Sequence, residues 1–242
     1  MRLAPLNAAI AGLLDFSGST DTAKIQVGTL MDAVSSDGGI DTGTNVPNWC
    51  QSELLYVRNA GAAMTPGIVC VLDKDFNATA VPSTAGLGKP VYVTLTNFAA
   101  GSTTVQYGWV MASGVAPIQT SVAATTGLVY IGTAGVITPT QANGKQIVNA
   151  VCTIAAASAF TRTITSVNGS KYIKIARTNG LFIGQTLSGT GVSGTVASID
   201  PSGTGFTASA AATASGTVTG TFTPTGFGIV HFNRPFAQGQ VV

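Results

Sequence analysis

The sequence predicts an all-β fold: a β-sandwich or barrel core with an extended N-terminal arm and a small inserted β-module. Three observations support this prediction. The chain of 242 residues is rich in Val, Thr, Ile, Gly, Ser and Ala and poor in the Lys, Glu and Leu that build helices. Apolar, β-branched runs of four to eight residues recur between Gly, Pro, Asn and Asp turns. No helical periodicity intervenes between these runs.

Residues 1–48 form the predicted arm. This segment is polar and Gly-rich, and its two basic and five acidic groups give a net charge of −3. Such a composition buries too little apolar surface to offset the entropy of ordering the chain. Two interpretations stay open: a floppy terminus, or an arm that becomes ordered against a partner. In the second case its apolar anchors would be Ile25, Val27, Leu30, Met31 and Val34.

The predicted core comprises residues 49–158 together with residues 225–242. Its strand-like runs follow one another at intervals of about eight to fourteen residues, a spacing typical of sandwiches and barrels. They lie within SELLYVRNAG, GIVCVLDKD, KPVYVTLTNF, VQYGWVMASG, LVYIGTAGVITP and QIVNAVCTIAAA, and the pattern resumes in GFGIVHFNRPF.

Residues 159–224 are predicted to be an insertion into that core. Two β-like runs flank Asn168-Gly169, which is a strong hairpin signal. Short Thr/Ala-rich runs follow, with one acidic residue, Asp200, among them. A structureless loop of this length inside a compact domain would be unusual, so we expect a small β-module with its own fold.

The residue types that carry catalysis are nearly absent. His231 is the single histidine, whereas a catalytic triad needs a histidine between a nucleophile and a carboxylate. Strand alternation places His231 opposite Val230 and Phe232, so we expect it to be exposed or at an interface. Asp73 and Asp75 belong to a turn, and the acidic stretch around Asp37 does not match a calcium loop. We therefore expect no catalytic residue, no cofactor and no metal site.

The sparse charge of the chain predicts assembly. Charged residues make up 8% of the sequence, against about 25% in an average soluble protein. A free monomer normally relies on many mixed surface charges for solubility, so we expect a surface largely covered by other protein copies. The one basic cluster, Lys171, Lys174 and Arg177, lies along an alternating strand and is interpreted as a solvated strand face. We expect no direct nucleic-acid contact and no membrane span.

The chain has three cysteines, Cys50, Cys70 and Cys152, an odd number with no CxxC spacing. Buried, reduced thiols are the expected state, and one disulfide with one free thiol stays an open alternative. Folding in a reducing compartment such as a cytosol fits this pattern.

The predicted interface residues are large or branched apolar side chains at the arm and at the C-terminal tail. Trp49, at the junction of arm and core, could fix the arm or form an interface hot spot. Phe236 lies in the short tail beyond Pro235. The complete candidate set is Trp49, Ile25, Val27, Leu30 and Phe236.

The module contains GQTLSGTGVSGTVASID and then FTASAAATASGTVTGTFTPTG. Over about 45 residues this pattern resembles a small β-repeat that is widespread in phage structural and tail proteins. Its first half is matched by Leu181, Gly184, Leu187, Gly189, Gly191, Val192, Gly194, Thr195, Val196 and Ile199. Its second half is matched by residues 210–213 with Gly216 and Thr217.

In the remainder of the chain an acidic arm precedes LLYVRNAGAAMTPGIVCVLD, GKPVYVTLTNFAAGSTTVQYGWVMASGVAPIQ and GLVYIGTAGVIT. This pattern is similar to that of tailed-phage capsid decoration (cement) proteins. This resemblance implies a non-enzymatic virion protein, assembled in the host cytoplasm, that forms a homotrimer and bridges copies of the major capsid protein. The alternative is a head or tail fibre that attaches to a host receptor. A polysaccharide-degrading enzyme is disfavoured by the shortage of carboxylates in the β-region.

Overall fold

The structure is a computed structural model, which describes residues 3–5, 19–35, 51–60, 63–99, 105–121, 124–154, 159–178, 181–200, 203–223 and 225–239. The regular secondary structure in these ranges consists of β-strands without an α-helix, and the prediction of an all-β fold is confirmed. Trp49 and Cys50 lie outside the described residues.

The described ranges form seventeen strands. They are β1 Leu3–Pro5, β2 Leu30–Ser35, β3 Gln51–Asn59, β4 Val69–Leu72, β5 Ala78–Ala80, β6 Tyr92–Thr94, β7 Gln106–Gln119, β8 Gly127–Ile131, β9 Ile137–Thr138, β10 Gln146–Ile154, β11 Phe160–Ser166, β12 Tyr172–Ile175, β13 Thr186–Gly189, β14 Val192–Ile199, β15 Gly205–Ala208, β16 Gly216–Thr223 and β17 Phe227–Ala237.

The chain divides into two compact units. The larger unit holds the described residues of Pro5–Val34, Gln51–Ala156 and Gly226–Val242. The smaller unit holds those of Met1–Ala4, Ser35–Cys50 and Ala157–Thr225.

The larger unit is built on one broad sheet. Its main path runs β2-β3-β7-β17-β10-β8-β9, and beside it β6 pairs with β7, β4 with β6 and β5 with β4. The last strand, β17, lies between β7 and β10, so the chain returns from the smaller unit into the middle of the sheet. One buried cluster of this unit consists of Leu55, Val57, Met64, Ile68, Cys70, Ala78, Phe98 and Val110.

Residues 19–35, which the sequence assigns to the arm, are part of this sheet. β2 pairs antiparallel with β3, and Leu30 lies opposite Leu55. Thr20 and Tyr107 exchange two backbone hydrogen bonds of 3.0 and 2.8 Å. Backbone pairing of this kind satisfies a polar segment without a long apolar run, because the N–H and C=O groups find partners in a neighbouring strand.

The smaller unit contains a closed six-stranded barrel in the order β11-β12-β15-β14-β13-β16. The predicted hairpin at Asn168-Gly169 is confirmed: β11 and β12 pair antiparallel on either side of it, and Gly169 has a φ of 79°. The barrel is filled by buried apolar side chains, namely Ile164, Ile173, Ile175, Leu181, Leu187, Val192, Val196, Phe206, Ala208, Ala212 and Phe222.

The strands that precede and follow the insertion, β10 and β17, are paired with each other, and so are the first and last strands of the barrel, β11 and β16. In the larger unit Ile154 on β10 lies opposite Ile229 on β17. In the barrel Phe160 on β11 lies opposite Phe222 on β16.

Candidate interaction surface

The described residues contain no group of three or more His, Cys, Asp or Glu side chains that could hold a metal ion. His231 lies on β17 with its side chain exposed, between the buried Val230 and Phe232, as strand alternation predicts. Within the part of the chain that the structure describes, no helix has the length and apolar character needed to cross a membrane.

One row of side chains crosses four neighbouring strands of the larger sheet. Val115 on β7 lies opposite His231 on β17, and His231 lies opposite Val151 on β10. Val151 in turn lies opposite Leu128 on β8. Directly opposed residues of antiparallel strands project from the same face, so these four side chains form one row, which we call the outer row.

Three of the four side chains in the outer row are apolar, and the row is open to solvent. Leu128 is 50% exposed and Val151 is 43% exposed, while Val115 is half-buried. The adjacent row, in which Ala116, Val230 and Cys152 are paired, is buried. This alternation identifies the outer row as the solvent-facing side of a sheet whose other side is packed.

A second exposed apolar pair lies farther along β10 and β17. Val148 pairs with Phe236 beyond an irregularity in the register, and the two are 38% and 39% exposed. Asn149 and Arg234 have positive φ values of 62° and 45° at this irregularity. Contiguous exposed apolar side chains of this kind mark interaction surfaces more often than scattered ones do.

Arg234 at the same irregularity binds Glu53 of β3. Its Nε donates to Glu53 Oε2 at 2.9 Å and its Nη2 donates to Glu53 Oε1 at 2.5 Å. This two-pronged hydrogen bond holds the pKa of Glu53 below its ordinary value, against the smaller opposing effect of burial. The same bond raises the pKa of Arg234. The pair links β17 to β3, which lies two strands away in the sheet.

The interface residues predicted from the sequence are distributed over two places. Leu30, at the start of β2, is 52% exposed, and Phe236 on β17 is 39% exposed. Ile25 and Val27 are half-buried in the segment before β2. β3 and β7 separate β2 from β17 in the strand order, so the structure does not bring Leu30 and Phe236 together. Trp49 lies outside the described residues.

Sequence reasoning missed Leu128, Val148 and Val151. On β10 apolar side chains occur at six of the nine positions of QIVNAVCTI with no regular polar alternation to mark the solvent side. The signal that identifies them is the strand pairing with β8 and β17, which no local pattern contains.

Two of the three cysteines lie in the described ranges. Cys70 and Cys152 are buried and are not joined in a disulfide, as expected for these two. Burial raises the pKa of the Cys70 thiol well above its ordinary range, so this thiol stays protonated.

Comparison with protein-family models, with curated proteins and with solved structures gives no match.

Proposed function

We propose that this chain is a structural protein of a tailed-phage virion. It binds the outside of the capsid and stabilises the shell by bridging capsid subunits, and it self-associates as a homotrimer. The observation that carries the proposal is the outer row. It is an exposed, mainly apolar row on an ordered sheet face, in a chain whose charged residues make up 8% of the sequence.

The dimensions of the outer row suit a protein contact. The row crosses three gaps between strands, which at the usual strand spacing amounts to about 14 Å. Val148 and Phe236 add a second exposed apolar pair on β10 and β17. Covering such side chains contributes about 25 cal/mol for each Å² removed from water. A partner is the simplest cover for a surface with so few charges.

We assign the contact to the outer row and not to residues 19–35. The backbone of β2 is paired with β3 of the same chain, and Gly28 donates to the Tyr56 carbonyl oxygen at 2.8 Å. These groups are already used within the chain, so strand addition through this edge of β2 would have to break them first. A sheet face can bind a partner without that cost.

Capsid stabilisation would then follow from mass action. A protein that binds the intact shell and has no affinity for dissociated subunits shifts the equilibrium towards the shell, by an amount set by its concentration relative to its Kd. Binding alone supplies this stabilisation, and no chemical step is required of the chain.

The test compares two exposed valines. Val151→Asp places a charge in the outer row, and Val167→Asp is the matched control, because Val167 is 60% exposed in the smaller unit. Light scattering coupled to size-exclusion chromatography measures the oligomer, and co-sedimentation with capsids of the same phage measures binding. We expect the parent chain and Val167→Asp to form trimers that sediment with capsids. We expect Val151→Asp to lose at least one of these two properties.

Two outcomes would overturn the proposal. A parent chain that is monomeric and ignores capsids would remove the assembly argument. A chain that ignores capsids and adheres to host cells would favour the fibre.

A further inference from the structure

A second surface lies on the barrel and is independent of the capsid contact proposed above. Tyr172 on β12 is 40% exposed. Its phenol oxygen donates to Asp200 Oδ2 at 2.8 Å. This bond raises the pKa of Tyr172 and fixes the direction of the ring.

Gly205 allows the ring to lie against the barrel wall. A Cβ atom at this position would overlap the phenol oxygen and the ring of Tyr172. The glycine itself is buried, while the tyrosine above it is exposed. One side of the phenol therefore covers β15 and the other side is available to a ligand.

The groups around the ring are hydroxyls and cations. Lys174 lies directly opposite Gly205 on β15, and Thr165 on β11 lies opposite Lys174 on its other side. Tyr172 itself lies opposite Thr207. All of these except the half-buried Thr207 and the buried Gly205 are exposed.

The segment that carries this face has a positive net charge. Residues 157–225 carry Arg162, Lys171, Lys174 and Arg177 against one acidic residue, which gives 4 − 1 = +3. That acidic residue, Asp200, is the acceptor for the Tyr172 hydroxyl. A ligand at the ring therefore meets the exposed Lys174 of the same strand and the Asp200 carboxylate, which already accepts the Tyr172 hydroxyl.

From this geometry we propose that the Tyr172 face binds an acidic polysaccharide whose pyranose rings carry carboxylate groups. An exposed ring held flat presents a negative π-face to the C–H groups of a sugar ring. The neighbouring Thr hydroxyls can bond sugar hydroxyls. A uronate carries its charge on the stacked ring itself, within reach of Lys174, whereas a phosphodiester carries it on the linkage between residues.

A single-stranded nucleic acid is the competing ligand, because it also combines stacking with negative charge. Such sites use several aromatic side chains for successive bases. Among the exposed large hydrophobic residues in the described part of the barrel, Tyr172 is the one aromatic, and Val167 is the other member. A single ring suits one sugar of a polymer better than a run of bases.

The test uses the full chain and polygalacturonate, with dextran as the neutral polymer and polyphosphate and oligo-dT as charge controls. Isothermal titration calorimetry measures each affinity. We expect binding to polygalacturonate and none to dextran. Tyr172→Ala should weaken it about tenfold, and Tyr172→Phe, which keeps the ring, should weaken it less than about threefold. Lys174→Gln should reduce its salt dependence, and Val167→Ala should change nothing.

Each contrary result identifies its own error. Equal affinity for polyphosphate would mean charge attraction alone, and tighter binding of oligo-dT would mean a nucleic-acid surface. Unchanged affinity in Tyr172→Ala would remove the ring from the site. No binding to polygalacturonate would overturn the proposal, whatever the chain does with capsids. If Tyr172→Ala fails to fold by circular dichroism, Tyr172→Phe and Lys174→Gln still decide the question.

Discussion

The two units of this chain are built from the same residue types and differ in what they leave in contact with water. On the barrel, Thr161, Thr163 and Thr165 of β11 lie opposite Thr221, Thr219 and Thr217 of β16. On the larger sheet the corresponding positions of the outer row are Val115, His231, Val151 and Leu128. Threonine and valine have similar shapes and both favour strands. Exchanging one for the other therefore preserves the strand and changes whether its exposed face suits water or an apolar surface.

The difference teaches how to read an uncharged β-surface. A closed barrel pairs all its strands in a ring and can be solvated on its whole outside, so hydroxyls suffice there. An exposed apolar face of a broad sheet makes no hydrogen bonds to water, and under the function proposed above a protein partner covers it. Strand propensity predicts neither outcome, whereas the outward residue on each strand predicts both.

The largest effect should come from emptying one core and sparing the other. Phe222 is fully buried in the barrel, with ring centroids of Phe160 and Phe206 at 5.4 and 5.6 Å. Phe222→Ala should cost the barrel about 3–5 kcal/mol. Calorimetry should show the barrel transition lowered far more than that of the larger unit, and Phe232→Ala in the larger unit should give the reverse. A single transition that moves in both variants would mean that the units do not unfold separately.

A smaller effect separates steric overlap from backbone strain at two glycines with the same φ of +79°. A Cβ at Gly135 of the larger unit would lie 2.5 Å from the Val69 carbonyl oxygen, whereas a Cβ at Gly169 of the barrel meets nothing within 4 Å. Gly169→Ala should cost about 1 kcal/mol for its left-handed backbone, and Gly135→Ala about 3 kcal/mol. Urea unfolding of the two variants checks this, and equal losses would contradict the role assigned to the overlap.

Exchanging the two surfaces should leave stability nearly unchanged and alter association. Thr163→Val with Thr219→Val gives the barrel an exposed apolar pair, and Leu128→Thr with Val151→Thr gives the outer row hydroxyls. Each double variant should stay within about 1 kcal/mol of the parent, because exposed substitutions rarely cost more. Sedimentation velocity should show stronger self-association in the first and weaker in the second. The same association in both would remove the outer row from assembly.

The smallest effect concerns the Glu53–Arg234 pair and depends on pH. The pKa of Glu53 is lowered in the folded chain from an ordinary 4.5. Its contribution is therefore present at neutral pH and is lost as the pH falls through the folded pKa. Glu53→Gln should lower Tm by less than about 3 °C at pH 7, and the difference from the parent should vanish in acid. Lys74→Gln, at the more exposed Lys74–Asp75 pair, serves as the control and should leave Tm unchanged at every pH.

Much of the fold follows from local sequence. β-Branched runs between turn residues predict the all-β fold, and Asn168-Gly169 predicts a hairpin that the pairing of β11 with β12 confirms. The strand β2 is not predicted, because LMDAVS lies in a polar segment and owes its place to pairing with β3. Long-range backbone pairing of this kind leaves no mark in a short window.

The sequence predicts the candidate surface only in part. His231 is identified by the strand alternation around it, and Phe236 is identified because it follows Pro235 in the C-terminal strand. Val148 and Val151 are not, because β10 is apolar on both sides and its own sequence does not say which side is buried. Their exposure is decided by β8 and β17, which are distant in the chain.

The paired ends of the barrel also bear on the order in which the chain folds. β10 must find β17 across the insertion, a loop of roughly 70 residues, before Ile154 can lie opposite Ile229. Once Phe160 has paired with Phe222, the chain left to close between Ile154 and Ile229 amounts to roughly 11 residues, which lowers the entropic cost of closure by about 1.7 kcal/mol. A barrel that forms first therefore lowers the entropic cost of pairing β10 with β17 in the larger sheet. The Trp109 signal should therefore appear more slowly during refolding of Phe222→Ala than of the parent. An unchanged rate would mean that the sheet closes without prior formation of the barrel.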